Sequence, residues 1–383
     1  MSKLEELIQQ YCPDGVEYKK IKEVYQRIKG TPITAGKMKE IQCPDGEIRI
    51  FAGGKTVIDA NEADIPNANI TRVPAVLVQS RGVIDAIYYD KPFTFKNEMW
   101  AYTHKEQTSV KFLYYVMKQN IQHFRDAASG MGALPQISLG TTEDFVIPVP
   151  PLPVQEEIVR ILDAFTELQA ELQAELQKRL QQYEYYRDKL LSFSDLSNWG
   201  GQEVSVEWKK LGEITTILRG KRLTKSQLSN DKPYAVYHGG LEPLGYYESA
   251  NRTANTTMII NVGASAGTIG YSKEDFWSSD GCYCVEHSKS FNDRYIYYVL
   301  QTQEQQLKSK VRVAGIPTLD RPVVEDLLIP IPPLTEQQRI VDILDRFNTL
   351  TTDITACLPA EIEARRKQYE YYRDQLLTFK QKA

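Results

Sequence analysis

The chain has 383 residues, of which 42% are hydrophobic and 25% are charged, and its formal net charge is −4. This length exceeds one typical domain and suits two or three, each with its own core. No run approaches the ~18 to 20 apolar residues of a membrane-spanning helix, and the first ten residues lack the apolar core of a signal peptide. Five cysteines at uneven spacing do not suggest a disulfide framework, so we expect a reducing, cytoplasmic location.

The acidic excess of the chain lies in one segment. Residues 154–196 carry 9 acidic and 5 basic residues, which accounts for the whole net charge of −4. The remainder is neutral, and a neutral domain can still bind DNA when its basic residues share one face, because contact with phosphates is local. The charge of the chain therefore neither predicts nor excludes a nucleic-acid partner.

The first 153 residues predict a domain of the α+β class. Short β-branched runs at 75–79 and 145–149 are bounded by glycine, proline and asparagine, a pattern typical of strands. Residues 109–125 have the apolar spacing of an amphipathic helix. Similar features recur in the second half of the chain, at 257–262, 327–331 and 293–308.

A Pro-Pro-Leu sequence at 150–152 ends the first domain and opens a helix, because proline stops strand pairing and suits a first helical turn. From 154 to 196 apolar residues recur at steps of three and four, starting with Ile158, Ile161 and Leu162. Roughly 40 residues at a rise of 1.5 Å make a helix about 60 Å long. A single helix of this length is not stable alone, so we expect it to pair with another.

The second half of the chain repeats the first. Segments 147–168 and 329–350 are identical at 13 of 22 positions with an offset of 182, and segments 183–193 and 369–379 at nine of eleven positions with an offset of 186. The globular parts repeat more weakly: Lys29-Gly30, Gly53-Gly54 and Gly82 resemble Arg219-Gly220, Gly239-Gly240 and Gly267. One domain followed by one long helix is therefore used twice.

The repeat divides the chain into a first domain at 1–153, a helix at 154–196, a second domain at 197–333 and a second helix at 334–383, with a linker at 194–203. Because both helices carry apolar stripes, we predict an intramolecular antiparallel coiled coil with pseudo-two-fold symmetry. The second helix has four extra residues and contains Pro359, which we expect to break or kink it. The alternative is that each helix merely covers its own domain.

Three possible catalytic or metal sites do not withstand inspection. Gly53-Gly54-Lys55-Thr56 resembles the end of a phosphate-binding loop, but Arg49 stands where the first glycine is required. Asp14 and Glu17 are too close in sequence to come from the two paired strands of a nuclease site. Cys282, Cys284 and His287 lack a further pair of metal ligands at usable spacing. With four histidines in the chain, little material remains for acid–base catalysis.

Binding of nucleic acid is better supported. No acidic residue lies between Glu23 and Glu40, or between Glu213 and Asp231, although both intervals contain four basic residues and a glycine. A basic loop with a glycine hinge can approach phosphates and present a cation to a base edge; the alternative is a solvated loop with incidental charge. The predicted DNA contacts are Arg27, Lys29, Lys37, Lys39, Lys55, Gln79, Ser80 and Arg81 in the first domain, and Arg219, Lys221, Arg222, Lys225, His238 and Arg252 in the second.

The layout resembles the specificity subunit of type I restriction-modification systems over essentially the whole chain. The most specific segments are the two helix openings, PPLPVQEEIVRILDAF and PPLTEQQRIVDILDRF, and the two QYEYYRD sequences. LPAEIEARRKQYEYYRD at 358–374 looks especially close to that family, as do GGLEPLGYY and GASAGTIGY in the second domain.

The resemblance implies two target recognition domains that each recognise one half of a bipartite DNA sequence, with paired helices that fix the gap between the halves. It also implies docking of two methyltransferase subunits and, through them, of restriction subunits. Because the loops of the two domains differ, we expect an asymmetric target. We expect no catalysis and no cofactor in this chain; S-adenosylmethionine, ATP and magnesium belong to the partner subunits.

On this interpretation the repeated tyrosine and arginine clusters pair the helices or dock the partners. Tyr183, Tyr185 and Tyr186 cannot all be buried on one helix face, so at least one should face a partner or solvent. The predicted docking residues are Tyr185, Tyr186, Arg187, Tyr371, Tyr372 and Arg373. Two rival hypotheses remain: a coiled-coil scaffold that binds no DNA, and a magnesium-dependent nuclease that would lose activity on Asp14→Ala.

Overall fold

The computed structural model describes residues 2–54, 56–129, 134–193, 206–287 and 291–382, and for His287 and residues 350–360 it describes the backbone alone. The predicted linker at 194–203 lies entirely outside these residues. The chain divides into two units, Met1–Gln173 together with Pro359–Ala383, and Ala174–Leu358. Within the described ranges, no helix is long and apolar enough to cross a membrane.

The globular part of the first unit contains strands and short helices in mixed order. Its strands are β1 (Glu17–Lys20), β2 (Gln26–Ile28), β3 (Ile48–Phe51), β4 (Val57–Ala60), β5 (Ala75–Gln79), β6 (Asp85–Tyr89), β7 (Phe93–Phe95), β8 (Trp100–Thr103) and β9 (Val146–Val149). Its helices are α1 (Lys3–Tyr11), α2 (Ile21–Val24), α3 (Ala35–Ile41), α4 (Gln107–Gln119), α5 (Ile121–Asp126) and α6 (Leu139–Glu143).

These strands form three sheets, a four-stranded one in the order β2-β8-β5-β6, a three-stranded one in the order β4-β3-β7, and the pair β1-β9. All five residues of β5 are buried, as expected for a strand between two neighbours with both faces covered. In the three-stranded sheet β3 pairs antiparallel with β4 and parallel with β7.

The second unit repeats this construction. Its strands are β10 (Glu207–Lys210), β11 (Thr215–Arg219), β12 (Tyr234–Tyr237), β13 (Gly245–Tyr247), β14 (Thr256–Ile260), β15 (Ile269–Ser272), β16 (Trp277–Ser278), β17 (Cys282–His287) and β18 (Leu328–Ile331); its short helices are α8 (Leu211–Ile214), α9 (Asp293–Thr302), α10 (Glu304–Ser309) and α11 (Arg321–Glu325). The sheets are β11-β17-β14-β15, β13-β12-β16 and β10-β18, so each sheet of the first unit has a counterpart.

Two long helices complete the fold. Helix α7 spans Leu152–Leu191, and helix α12 spans Leu334–Leu376. Both begin directly after a Pro-Pro sequence, as predicted. Helix α12 continues through Pro359, so the predicted break is wrong: proline removes one backbone donor, and a helix of 43 residues can lose one hydrogen bond without ending.

Each amphipathic segment that the sequence predicts as one helix is instead two, α4 and α5 in the first unit, and α9 and α10 in the second. The first break falls at Asn120, whose side-chain amide donates to the Val116 carbonyl oxygen (2.8 Å). Such a local hydrogen bond competes with the helical backbone.

Both units take core residues from the end of one long helix and the start of the other. In the first unit Ile158 and Leu162 from α7 share a core with Leu377, which directly follows α12. In the second unit Ile340 and Leu344 from α12 share a core with Leu190 of α7. The α+β class with two similar domains, each joined to a long helix, is therefore confirmed.

Candidate nucleic-acid interface

In the first domain a groove of about 570 Å³ lies between β2 and segments 97–100 and 136–139. Arg27 and Lys29 line this groove, and both are exposed. The Arg27 guanidinium lies 3.4 Å from the Glu143 carboxylate. Because an exposed ion pair of this kind adds little stability, a phosphate can compete for the guanidinium at small cost.

The predicted glycine hinges are sites of close packing instead. A Cβ atom at Gly30 would lie 2.1 Å from the Phe95 carbonyl oxygen, and one at Gly220 would lie 2.2 Å from the Ser278 carbonyl oxygen. Neither glycine has a positive φ in the left-handed region. Glycine is needed at both positions because the chain passes directly against β7 or β16. This contact fixes the backbone directly after Lys29 and Arg219.

Lys37 and Lys39 lie on helix α3, so the predicted basic loop is partly helical. The Thr34 hydroxyl accepts a hydrogen bond from the Lys37 amide (3.2 Å) and so caps the helix. The Lys37 ammonium is 2.7 Å from the Glu40 carboxylate, whereas Lys39 is exposed.

The segment after β5 contains two buried residues and one exposed residue. Gln79 is 4% exposed and Ser80 is fully buried, with its hydroxyl donating to the Glu98 carbonyl oxygen. Burial removes both side chains from the set that can reach DNA in this conformation. Arg81 is exposed, and its carbonyl oxygen accepts from the Gly54 amide (3.3 Å). Lys55 lies outside the described residues.

In the second domain Arg219, Lys221, Arg222 and Lys225 are all exposed. The Lys221 backbone is fixed on both sides, since its amide donates to the Ser278 carbonyl oxygen (2.9 Å) and its carbonyl oxygen accepts from the Trp277 indole (2.7 Å). The Arg219 Nε atom donates to the Asp280 carbonyl oxygen (3.3 Å). A fixed backbone with exposed cationic side chains is the arrangement that phosphate contacts use.

His238 and Arg252 have internal contacts that restrict what they can bind. The His238 Nδ1 atom accepts from the Gly281 amide (3.2 Å) and lies 3.3 Å from the Asp280 carboxylate. The Arg252 guanidinium donates to the Asn251 carbonyl oxygen (2.6 Å) and the Arg219 carbonyl oxygen (3.2 Å). Arg252 therefore braces the end of β11.

The two cysteines of β17 lie in an apolar core, and the side chain of His287 lies outside what the structure describes. Cys282 and Cys284 are both buried in a small core with Met258, Ile260 and Phe276. Among the residues that the structure describes, no group of three His, Cys, Asp or Glu side chains could hold a metal ion.

The predicted docking residues divide into exposed and partly buried members. Tyr185, Tyr371 and Tyr372 are 60%, 62% and 41% exposed, which confirms that at least one tyrosine of the cluster faces outward. Tyr186 stacks on Phe347, and Tyr372 stacks on Phe165. The side chains of Arg187 and Arg373 are only 12% and 17% exposed.

These two largely covered arginines lie over equivalent tyrosines. The Arg187 guanidinium is 5.9 Å from the ring centre of Tyr183, and that of Arg373 is 5.8 Å from Tyr369. Burial raises the pKa of Tyr183 to about 12 and that of Tyr369 to about 12. The same local environment has therefore been built twice.

In each unit an aspartate of a long helix binds both a tyrosine hydroxyl and a basic side chain, an arrangement called the aspartate clamp below. It was not predicted from the sequence. Asp163 of α7 accepts from the Tyr115 hydroxyl (2.5 Å) and pairs with Lys111 (2.7 Å). Asp345 of α12 accepts from the Tyr298 hydroxyl (2.5 Å) and pairs with Arg294 (2.9 Å). The signal was present in the sequence, because the repeated helix openings share this aspartate at an offset of 182.

Comparison with known proteins identifies the family. The model of the type I restriction modification DNA specificity domain matches residues 13–182 and 203–364. The chain is 33% identical over 301 residues to the EcoR124I/EcoR124II specificity subunit of Escherichia coli, covering 71% of this chain and 72% of that protein. It is 34% identical over 315 residues to a putative type I restriction enzyme specificity subunit of Haemophilus influenzae, covering 74% and 77%.

The fold agrees with a solved structure of the same kind. The crystal structure of the S subunit of a type I restriction-modification system from M. genitalium matches with a TM-score of 0.63 at 19% identity, over 94% of this chain and 95% of that one. At this identity the likeness supports the fold alone. From the family match and the relatives, the chain belongs to the DNA specificity subunits of type I restriction-modification systems.

Proposed function

We propose that this chain recognises a bipartite, asymmetric sequence in double-stranded DNA, with one domain for each half. The proposal rests on one observation: the two domains share the same sheets and packed glycines, but their exposed basic residues differ. Gly30 and Gly220 pack in the same way against the backbone of a strand, directly after Lys29 and Arg219. The side chains around them differ, with Arg27 and Lys29 in one domain and Arg219, Lys221 and Arg222 in the other.

The long helices set the distance between the half-sites in this proposal. They pair as an antiparallel coiled coil, which the contacts between the start of one helix and the end of the other support in each unit. The stacked rings of Phe165 and Tyr372, 5.6 Å apart, are one such contact, and those of Tyr186 and Phe347, 6.0 Å apart, are another.

The chemistry comes from partner subunits. Two methyltransferase subunits dock on the equivalent exposed tyrosines Tyr185 and Tyr371, and restriction subunits join through them. The chain itself is not catalytic and binds no cofactor, and S-adenosylmethionine, ATP and magnesium are used by the partners. The complex works in the cytoplasm, where the DNA lies.

The decisive test exchanges residues 1–146 for the corresponding part of another specificity subunit, followed by sequencing of methylated DNA. We expect one half of the methylated motif to change while the other half and the gap stay the same. An unchanged motif would contradict the two-domain proposal. A chain that supports no methylation and no DNA binding with methyltransferase subunits present would favour the coiled-coil scaffold.

The role of the helices is tested by deleting Ala364 to Lys367 of α12. Four residues correspond to about 6 Å of helix, so we expect the gap to change by about two base pairs with both half-sites intact. The matched control replaces Arg365, Arg366 and Lys367 with alanine and keeps the helix length, and it should leave the gap unchanged.

Docking is tested with Tyr185→Ala and Tyr371→Ala, separately and together. Each single variant should lose one of the two methyltransferase subunits, and the double variant should lose both, as measured by the mass of the purified complex. Tyr11→Ala is the control, because Tyr11 is also an exposed tyrosine, at 46%. Full assembly of the double variant would contradict this docking site.

A further inference from the structure

Both domains carry an exposed aliphatic side chain at the same point of the fold. Leu134 of the first domain is 57% exposed and Ile316 of the second is 70% exposed. Each directly precedes a proline, and the offset between them is 182, as in the helix openings. Val313, in the same turn as Ile316, is 78% exposed. Val313 and Ile316 are the most exposed large hydrophobic side chains in the part of the chain that the structure describes.

These side chains are held by equivalent backbone hydrogen bonds. The Pro135 carbonyl oxygen accepts from the Gly82 amide (2.8 Å), and the Pro317 carbonyl oxygen accepts from the Gly263 amide (2.9 Å). Two residues after each proline, the Ile137 amide donates to the Ser80 carbonyl oxygen (3.0 Å) and the Leu319 amide donates to the Asn261 carbonyl oxygen (2.8 Å). The structural counterpart of Gly82 is therefore Gly263 rather than Gly267, the sequence match.

The base of each turn is closed by a second pair of bonds. Ser129 and Gln136 exchange two backbone hydrogen bonds (3.0 and 3.2 Å), and Arg312 and Thr318 do the same (2.9 and 3.0 Å). Leu134 and Ile316 remain more than half exposed although the chain beside each of them is anchored, and residues 130–133 of the first turn lie outside the described residues. A single exposed apolar side chain needs no explanation, but its recurrence at an equivalent anchored position in two divergent domains does.

The surroundings of both side chains suit a nucleic acid. Beside Leu134 are two glycines and the exposed Arg81. A Cβ atom added at Gly82 would lie 3.5 Å from the Cα atom of Gly54, so the two backbones are close together. Beside the Ile316 turn are Gly239 and Gly263, and Arg312 at its base, 62% exposed. Glycine turns allow close approach of a ligand, and the cations suit phosphates.

We infer that Leu134 and Ile316 are apolar DNA-contacting side chains, one for each half-site, that press against bases within a groove. An aliphatic side chain contacts the methyl group of thymine or lodges against a base step, while the neighbouring arginine contacts the backbone. A docking site for a protein subunit would instead be expected to offer a continuous apolar patch. This inference rests on the proposed function and assigns it specific residues.

The test uses the complex of this chain with its methyltransferase subunits and a fluorescent duplex that carries the motif found by methylation sequencing. The unchanged complex must first prefer this duplex over a scrambled one, which tests the proposed function separately. Leu134→Ser and Ile316→Ser should then each weaken binding to the motif about tenfold, the loss typical of one wrong base pair. Leu134→Met should retain binding.

Two controls separate apolar contact from other effects. Val73→Ser and Leu328→Ser alter side chains that are 49% and 54% exposed, and both should bind within twofold of the unchanged complex. Arg81→Ala should lower the salt dependence of binding by about one unit in its logarithmic slope, whereas Leu134→Ser should leave that slope unchanged.

The outcomes are distinct. Binding of Leu134→Ser and Ile316→Ser within twofold of the unchanged complex would overturn the inference and leave the proposed function intact. Loss of methyltransferase subunits from either variant on gel filtration would also overturn it, because the side chains would then belong to a protein interface. Thermal unfolding of the isolated variants checks that the exposed substitutions leave the fold unchanged.

Discussion

The two units use the same clamp with different strength. Asp163 holds Lys111, whose ammonium is 5.4 Å from the Tyr88 ring centre and whose side chain is 33% exposed. Asp345 holds Arg294, which is 14% exposed and lies within 5 Å of three tyrosine ring centres, those of Tyr271, Tyr297 and Tyr298. A planar guanidinium can stack on several rings, which an ammonium cannot do as well. The two repeats therefore share the geometry of the aspartate clamp, while the burial of the cation decides how much each clamp contributes to the stability of the fold.

The largest expected effect concerns the packed glycines. Gly30→Ala and Gly220→Ala should each destabilise the protein by about 3 kcal/mol or more, because the new methyl group would overlap a backbone carbonyl oxygen that cannot move alone. Thermal unfolding measures the change. Gly36→Ala is the control, since nothing lies within 4 Å of a Cβ atom there. A mild effect at one glycine and a large one at the other would break the equivalence of the domains.

The clamps should differ when the carboxylate is removed. Asp345→Ala should cost about 2 kcal/mol, because it leaves a largely buried guanidinium without its carboxylate, and Asp163→Ala about 1 kcal/mol, because Lys111 can reach solvent. Urea unfolding of both variants measures the difference. Equal losses would mean that burial of the cation does not set the energy of the clamp.

Two buried glutamines offer a finer comparison. The Gln155 side-chain amide donates to the Pro150 carbonyl oxygen (2.7 Å), and that of Gln337 donates to the Pro332 carbonyl oxygen (3.0 Å). Gln337 also accepts from the Asn292 amide (3.0 Å), whereas the Gln155 oxygen has no partner within the described structure. Gln337→Leu should therefore cost about 2 kcal/mol and Gln155→Leu about 1 kcal/mol, as measured by urea unfolding; the reverse order would contradict the assignment.

The smallest effect appears only at high pH. The pKa of Tyr183 and of Tyr369 is about 12 in the folded chain, against about 10 for an exposed tyrosine. The fold thus favours the neutral phenol, and this contribution is present below pH 10 and lost as the pH rises from 10 to 12. Tyr183→Phe and Tyr369→Phe should each make stability fall less steeply over that range, by similar amounts. Urea unfolding at pH 8, 10 and 11 measures this, and two unequal responses would separate the two environments.

Much of the fold followed from repetition in the sequence. The offset of 182 placed the two Pro-Pro-Leu helix openings, and the strands at 75–79 and 328–331 fall within one residue of the predicted runs. The helix breaks at Asn120 and Gln303 were missed because the apolar spacing continues across them. The sequence did not predict the continuity of α12 through Pro359, although the loss of one backbone hydrogen bond is small beside the hydrogen bonds that the rest of a 43-residue helix keeps.

The site was less accessible to sequence reasoning. Clusters of basic residues indicated the surfaces of Arg27, Lys29 and Lys221, but nothing in the local sequence separates the buried Gln79 and Ser80 from the exposed Arg81. The elements that cover both faces of β5 and the neighbouring strands decide which of these three side chains faces water.

The sequence by itself determined the duplication, the α+β class, the long helices and the family, because identity at a constant offset and apolar periodicity are properties of the chain alone. Only the tertiary structure decided that Gly30 and Gly220 are packing positions, that Asp163 and Asp345 are clamps, and that Gly82 corresponds to Gly263. Those assignments depend on atoms that are distant in sequence and meet only after folding, so no local pattern could supply them.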